Sequence, residues 1–112
     1  MSEMYNECWE YAKHVAEEIE AYYNRTANEE GEEVSLYDYF ADSLDYEVIL
    51  TSQKTVKSVQ LYVTLGGPTC WIDTEDHAVV CHWGTETAKY AIDWDLCDEL
   101  EDIVAECMEL DR

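Results

Sequence analysis

Cysteine and histidine are the residue types whose spacing comes nearest to a chemical site. Cys70, His77, Cys81 and His82 fall within one short stretch, and structural zinc prefers thiolate and imidazole ligands. Zinc ligands usually come in close pairs such as CxxC, which this chain lacks, and on a strand His82 points away from Cys81. The spacing therefore favours inert core thiols and an exposed turn histidine, and we expect neither a metal nor a cofactor.

Paired carboxylates are the second possible source of chemistry, because they can exchange protons with a substrate. With 27 acidic residues in the chain, two of them lie close together by chance. A carboxylate-dependent nuclease also needs a basic track for its substrate, and only Lys54 and Lys57 sit together. The stretch from Asp73 starts like a calcium loop, but Ala78 stands at the glycine position and Gly84 at the closing glutamate position. No glycine-rich phosphate-binding loop is present. We therefore expect a protein that is not an enzyme.

Cysteine usage and the lack of targeting segments indicate a cytoplasmic protein. The five cysteines are an odd number without regular spacing, which favours reduced thiols, with a Cys70–Cys81 bridge between neighbouring strands as the alternative. The first twenty residues contain six acids and no apolar run, which argues against a signal peptide. No stretch approaches the ~20 apolar residues of a membrane span.

The charge balance excludes nucleic acid as a direct ligand. The 112 residues include 27 Asp and Glu against 6 Lys and Arg, giving a net charge of −21 and a pI near 4.1. Affinity for phosphates requires clustered Lys and Arg. The 47% hydrophobic share, with 9 Tyr and 4 Trp, is too high for a disordered acidic tail, so the chain can build a core. A charged partner is therefore expected to be basic.

Three helices are predicted. Residues 3–24 have apolar residues at three- and four-residue spacing with acids elsewhere, and Ser35 followed by Asp38 favours a short helix at about 35–42. A C-terminal helix begins with Asp93 or Asp95 as its cap. Its predicted inward residues are Leu96, Leu100, Ile103, Val104, Cys107 and Leu110, and its predicted outward residues are Asp95, Asp98, Glu99, Glu101, Asp102, Glu106 and Glu109.

A period of two predicts strands in the middle of the chain. Residues 44–50 and 59–65 alternate as a hairpin with one buried face, and 69–73 and 78–83 flank a polar turn. If Asp73 faces Ala78, Cys70 faces Cys81. Residues 89–92 are a candidate fifth strand. We expect one α+β domain over 1–112: an antiparallel sheet of four or five strands packed with a long N-terminal helix, a short second helix and a C-terminal helix.

The net charge is far above the magnitude of about 2–8 that keeps a small domain soluble. Surface scaling gives ~6,300 Å² for this size, hence roughly one net negative charge per 300 Å², about a third of the density of B-DNA. If the acids concentrate on two helix faces and the loop 29–33, those faces approach the density of DNA. Acids at three- and four-residue steps on a helix rise ~5–6 Å, near the spacing of successive phosphates.

A small acidic chain with the clusters 29–33 and 98–102 on an α+β frame resembles, in its overall character, the DNA-mimic inhibitors encoded by phages and mobile elements, of the anti-CRISPR or anti-restriction type. The resemblance implies an inhibitor that blocks the basic DNA- or RNA-binding channel of a bacterial defence nuclease in the host cytoplasm. The alternative is an acidic accessory or regulatory module that binds another basic protein. The expected partner-binding residues are Glu29, Glu30, Glu32, Glu33, Trp94, Asp95, Asp98, Glu99, Glu101, Asp102 and Glu106.

Overall fold

The computed structural model describes residues 3–24 and 35–112, which form an α+β fold of three helices and a five-stranded antiparallel sheet. In chain order the elements are α1 (Glu3–Tyr23), α2 (Leu36–Ala41), β1 (Asp45–Leu50), β2 (Val56–Thr64), β3 (Thr69–Asp73), β4 (Ala78–Trp83), β5 (Glu86–Ala91) and α3 (Trp94–Cys107). The predicted fold class is confirmed. The candidate fifth strand exists and begins three residues earlier than the sequence pattern predicts.

The sheet is a simple meander in which each strand pairs with its neighbours in the chain, in the order β1-β2-β3-β4-β5. Between β3 and β4, Asp73 faces Ala78 and Cys70 faces Cys81, as the turn length predicts. Both thiols are free and buried. The peptide bond between Gly67 and Pro68, in the β2–β3 turn, is cis.

The helices cover one face of the sheet. α1 packs on β4 and β5, while α3 packs on β2 and on α2. The core between the layers includes Ile19 from α1, Leu100 from α3 and the inward strand residues Leu61, Ile72 and Val79, all with no exposed surface. On the opposite face, Tyr62 and Trp71 pack with their ring centroids 5.9 Å apart.

Local capping explains where two of the helices begin. The Asp38 carboxylate accepts hydrogen bonds from the Ser35 backbone N–H at 2.8 Å and from its hydroxyl at 3.1 Å, which fixes the first turn of α2. At the start of α3, the Asp93 carboxylate accepts from the Asp95 backbone N–H at 2.8 Å, so Asp93 is the cap. No helix in 3–24 or 35–112 is long and apolar enough to cross a membrane.

Burial differs from the sequence pattern at two positions of α3 and along β1. Glu101, predicted to face solvent, is 7% exposed, and Cys107, predicted to face the core, is exposed. Because α3 ends at Cys107, the Cys107 side chain no longer follows the row of inward-facing residues of the helix. β1 is predicted to have one buried face, but Val48 is its one partly buried residue, because β1 is an edge strand and no helix packs extensively against it.

Candidate partner-binding surface

The outer face of α3 presents a row of carboxylates that follows the period of the helix. Asp95, Glu99, Asp102 and Glu106 are separated by four, three and four residues, which places them along one side over about 16 Å of helix. We call these four residues the α3 acidic stripe. Three of them are exposed and Glu99 is partly exposed. Their regular spacing presents negative charge as a line, which is how a nucleic-acid strand presents it.

The first turn of α3 suits its acidic residues. The unbonded N–H groups at a helix N-terminus attract negative charge, so Asp93 and Asp95 are favourably placed there. The last turn contains no basic residue to offset the opposite pole. The acidic residues therefore stabilise the first turn of α3 and destabilise its last turn.

The end of α1 adds a second group of acids beside the stripe. Burial, followed by the charges of Asp93 and Glu17, raises the pKa of Glu20 above its ordinary value. Desolvation and the charges of Asp93, Asp95 and Glu99 raise the pKa of Tyr23. Asp93 and the first turns of α3 therefore lie within electrostatic range of Glu20 and Tyr23 at the end of α1. Negative charge from two helices therefore converges on one surface, which we call the α1–α3 acidic surface (Glu17, Glu20, Asp93 and the α3 acidic stripe).

Trp94 stands at the edge of the α1–α3 acidic surface in a fixed orientation. Its side chain is 69% exposed, yet its ring stacks on the imidazole of His77 with the centroids 3.8 Å apart and the planes 5° from parallel. His77 occupies the β3–β4 turn with φ of 53°, and its carbonyl accepts from the Ile92 N–H at 2.9 Å. The turn thus supports the ring from one side and leaves its other face to solvent. Such an exposed, oriented aromatic ring is typical of an interface anchor.

Arg112 neutralises part of the outer face of α3. Its guanidinium donates to Glu101 at 2.6 Å, to Asp102 at 2.7 Å and to Asp98 at 3.3 Å. The Glu101 side chain is 10% exposed, whereas those of Asp98 and Asp102 are 65% and 66% exposed. Glu101, predicted as a binding residue, is therefore a buried ion-pair partner with little surface left for contact with another protein. Asp98 and Asp102 keep most of their surface for a partner.

The remaining ion pairs of the described residues lie elsewhere. Lys57 pairs with Glu75 at 3.7 Å and Lys89 with Asp76 at 2.8 Å, both beside the β3–β4 turn. Across residues 3–24 and 35–112, no ion pair involves Glu17, Glu20, Asp93, Asp95 or Glu99. Within these ranges, no Lys or Arg therefore compensates the carboxylates of the α1–α3 acidic surface nearest Trp94.

Four of the eleven predicted binding residues, Asp95, Glu99, Asp102 and Glu106, form the α3 acidic stripe. Trp94 and Asp98 lie on the same helix and are exposed, whereas Glu101 is buried. The predicted loop residues Glu29, Glu30, Glu32 and Glu33 lie outside the described residues. Sequence reasoning missed Glu17 and Glu20 as neighbours of α3, and His77 as the support of Trp94. The sequence carries little signal for either group of neighbours, because tertiary packing brings together segments that are distant in the chain.

The cysteines and cavities offer little chemistry. Burial raises the pKa of the Cys97 thiol to about 12, and burial together with hydrogen bonding to Cys70 raises the pKa of Cys81, so these thiols resist ionisation and serve as small core residues. Within 3–24 and 35–112, no three His, Cys, Asp or Glu residues are grouped to hold a metal ion. A depression of about 560 Å³ lined by residues of α1 is open to solvent.

A scan against protein-family models found no match, and neither did searches of curated proteins and of solved structures.

Proposed function

We propose that this protein is an inhibitor that mimics nucleic acid and blocks the basic DNA- or RNA-binding channel of a bacterial defence nuclease, of the anti-CRISPR or anti-restriction type. The α1–α3 acidic surface carries the proposal, because it joins a regular line of carboxylates to an oriented, exposed Trp94. The carboxylates would replace phosphates against Lys and Arg of the channel, and the indole would fix the position of the inhibitor. Such an inhibitor acts in the bacterial cytoplasm, where its target works.

The charge density supports this assignment. With 6820 Å² of accessible surface, the molecule carries roughly one net negative charge per 325 Å², while B-DNA carries about one per 100 Å². Seven of the acidic residues belong to the α1–α3 acidic surface, where Arg112 is the one described basic residue that makes an ion pair. A charge of −21 opposes compact folding by self-repulsion, and it exceeds the charge that solubility requires. This excess favours a functional role for the charge.

The function is tested by capture and competition. The protein is immobilised, incubated with bacterial extract, and its bound proteins are identified and challenged with duplex DNA and with structured RNA. The proposal predicts a nucleic-acid-binding protein that is released by nucleic acid and by rising salt. A captured basic protein that nucleic acid does not displace would support an acidic accessory module instead.

Two variants with equal charge change make the experiment specific. The first replaces the α3 acidic stripe (Asp95→Asn, Glu99→Gln, Asp102→Asn and Glu106→Gln). The matched control replaces four acids elsewhere on the surface (Glu7→Gln, Glu10→Gln, Asp42→Asn and Glu109→Gln). Loss of more than about tenfold in affinity is expected for the first and little change for the control. Equal losses would show that net charge, rather than the α1–α3 acidic surface, drives binding.

Trp94 provides an independent test of the same surface. Trp94→Ala removes an exposed ring, so we expect the complex to weaken by roughly tenfold while the melting temperature changes little. Leu65→Ala, which removes another side chain with more than half of its surface exposed, is the control. Unchanged affinity for Trp94→Ala would remove the indole from the proposed interface.

A further inference from the structure

We propose that β1 is a docking edge for an extended segment of a basic partner protein, which adds to the sheet as a sixth strand. The inference does not depend on the proposed function, because it concerns another side of the molecule. Three observations carry it: a free strand edge, an apolar groove beside it, and alternating acidic side chains along it.

The backbone of β1 presents its hydrogen-bonding groups to solvent. Asp45 pairs with Tyr62 and Glu47 with Gln60 of β2, and the Thr51 N–H donates to the Thr55 carbonyl at 2.9 Å. Alternate residues of an antiparallel strand bond to the same neighbour, so Tyr46, Val48 and Leu50 direct their N–H and C=O groups away from β2. No strand among the described residues pairs with that side.

The Tyr46 N–H confirms this direction, because it donates to the carboxylate of Asp45 at 2.8 Å rather than to β2. The Asp45 carboxylate thus occupies the position that a carbonyl oxygen of a neighbouring strand would take. An incoming strand can replace it and leave the Asp45 carboxylate available for a cation.

Exposed apolar side chains concentrate around this edge. Four of the nine large hydrophobic residues that are exposed among the described residues lie on β1 or directly before it: Leu44, Tyr46, Ile49 and Leu50, each between 37% and 60% exposed. A groove of about 320 Å³ opens between α2, the start of β1 and the end of α3, lined by Phe40, Leu44, Tyr46 and Cys107 among others. Side chains of an added strand that point to the helical face would enter this groove.

The two faces of β1 favour different side chains in a strand added beside it. Tyr46, Val48 and Leu50 point to the helical face, while Asp45, Glu47 and Ile49 point to the open face, since side chains alternate along a strand. A strand paired with β1 would therefore place apolar residues beside the first set and basic residues beside Asp45 and Glu47. The segment that fits is an extended one in which Lys or Arg alternates with apolar residues, as in other partners that add a strand to a sheet.

A second copy of this chain fits the edge less well. In a two-fold pairing centred on Val48, Glu47 would face Ile49 of the copy, so no cation would meet either acid of β1. Each copy would also bring a net charge of −21. Charge complementarity thus favours a basic partner over self-association.

The opposite edge of the sheet, β5, is protected in a way that β1 is not. Its exposed residues are Thr87, Lys89 and Ala91, without a large apolar side chain, and Lys89 is held by Asp76 at 2.8 Å. A lysine on an edge strand discourages pairing with a further strand. The contrast makes β5 an internal control for β1.

The test uses a capped peptide of about nine residues with alternating lysine and valine, long enough to span β1. A peptide of the same composition, with all lysines before all valines, controls for non-specific attraction to an acidic protein. Amide hydrogen exchange is followed residue by residue in the intact protein. We expect the alternating peptide to slow exchange at Tyr46, Val48 and Leu50 by at least about tenfold and the block peptide to leave these amides unchanged. Equal protection by both peptides would overturn the proposal.

Variants separate backbone pairing from charge. Val48→Pro removes an N–H that faces the edge and should abolish peptide binding, whereas Thr87→Pro makes the same change on β5 and should not. Glu47→Lys leaves the backbone intact and should weaken binding by about tenfold, while Glu10→Lys on α1 should not. Unchanged binding to Glu47→Lys contradicts the proposal even if the proline variant fails to fold. A concentration-dependent dimer that Val48→Pro dissolves would assign the edge to a second copy instead.

Discussion

Arg112 and Glu101 form the ion pair that ties the end of α3 to the chain that follows it. The carboxylate of Glu101 is largely buried and lies 2.6 Å from the guanidinium, which also contacts Asp98 and Asp102. The chain is held nearby by the Val56 N–H, which donates to the Asp111 carbonyl at 2.8 Å. A buried carboxylate without a partner is costly, so this pair is structural rather than part of a binding surface.

Arg112→Ala should lower the free energy of unfolding by about 1–3 kcal/mol, because it leaves the Glu101 carboxylate buried without its partner. Urea denaturation at neutral pH measures the change. Lys89→Ala is the control, since its pair with Asp76 is exposed and should contribute less than about 1 kcal/mol. Equal effects of the two substitutions on the free energy of unfolding would show that burial of Glu101 does not strengthen its ion pair with Arg112.

Glu20 gives a pH-dependent prediction, because burial and neighbouring acids raise its pKa above the ordinary value of 4.5. The folded state therefore holds this proton to higher pH than the unfolded state does. The resulting stabilisation is complete below the ordinary pKa and is lost as pH rises through the folded pKa.

Glu20→Gln should consequently be more stable than wild type at pH 7, by about 0.5 kcal/mol or less, and equal to it near pH 4. Thermal unfolding over this pH range measures the difference, with Glu10→Gln as the control for removing an exposed carboxylate from α1. A Glu20→Gln variant that is less stable than wild type at pH 7 would contradict the proximity of α1 and α3.

At the scale of elements, local patterns predicted most of the fold. The Ser35 and Asp38 spacing located α2, and the four-residue turn after Asp73 set the β3–β4 register, because both depend on residues close in sequence. Burial in β1 and at Glu101 was not predicted, since it depends on where the sheet ends and on Arg112, which lies eleven residues along the chain from Glu101. The spacing of the acidic residues predicted the α3 acidic stripe, whereas no pattern in the sequence predicted its neighbours on α1.

The charge distribution along α3 predicts opposite effects at its two ends. Glu106 lies in the last turn, where a negative charge meets the negative pole of the helix and also faces Asp102 four residues earlier. Glu106→Lys should therefore raise the free energy of unfolding by about 0.5–1 kcal/mol, while Asp95→Lys in the first turn should lower it by a similar amount. Chemical denaturation at low salt measures both, and changes of the same sign would contradict the assignment.

At the scale of the whole molecule, a conventional core supports a highly charged exterior. Apolar residues from three helices and the sheet fill one continuous core. In the described part of the chain, the ion pairs made by Lys and Arg lie beside the β3–β4 turn and at Arg112. Among the described residues, no ion pair involves the acids of the α1–α3 acidic surface nearest Trp94. Exposed acids without an ion pair also lie elsewhere in this part of the chain, as at Glu7 and Glu10, so the comparison of the two charge-neutralised variants is what separates imitation of a nucleic acid from general solubility.

The most direct test is a competition titration on the captured partner. Labelled DNA or RNA bound to that partner is displaced by this protein at increasing salt. Our account predicts that the apparent dissociation constant rises in proportion to the nucleic acid present, and that affinity falls by at least about tenfold between about 50 and 200 mM salt. A ternary complex of partner, nucleic acid and this protein, or an affinity indifferent to salt, would contradict it.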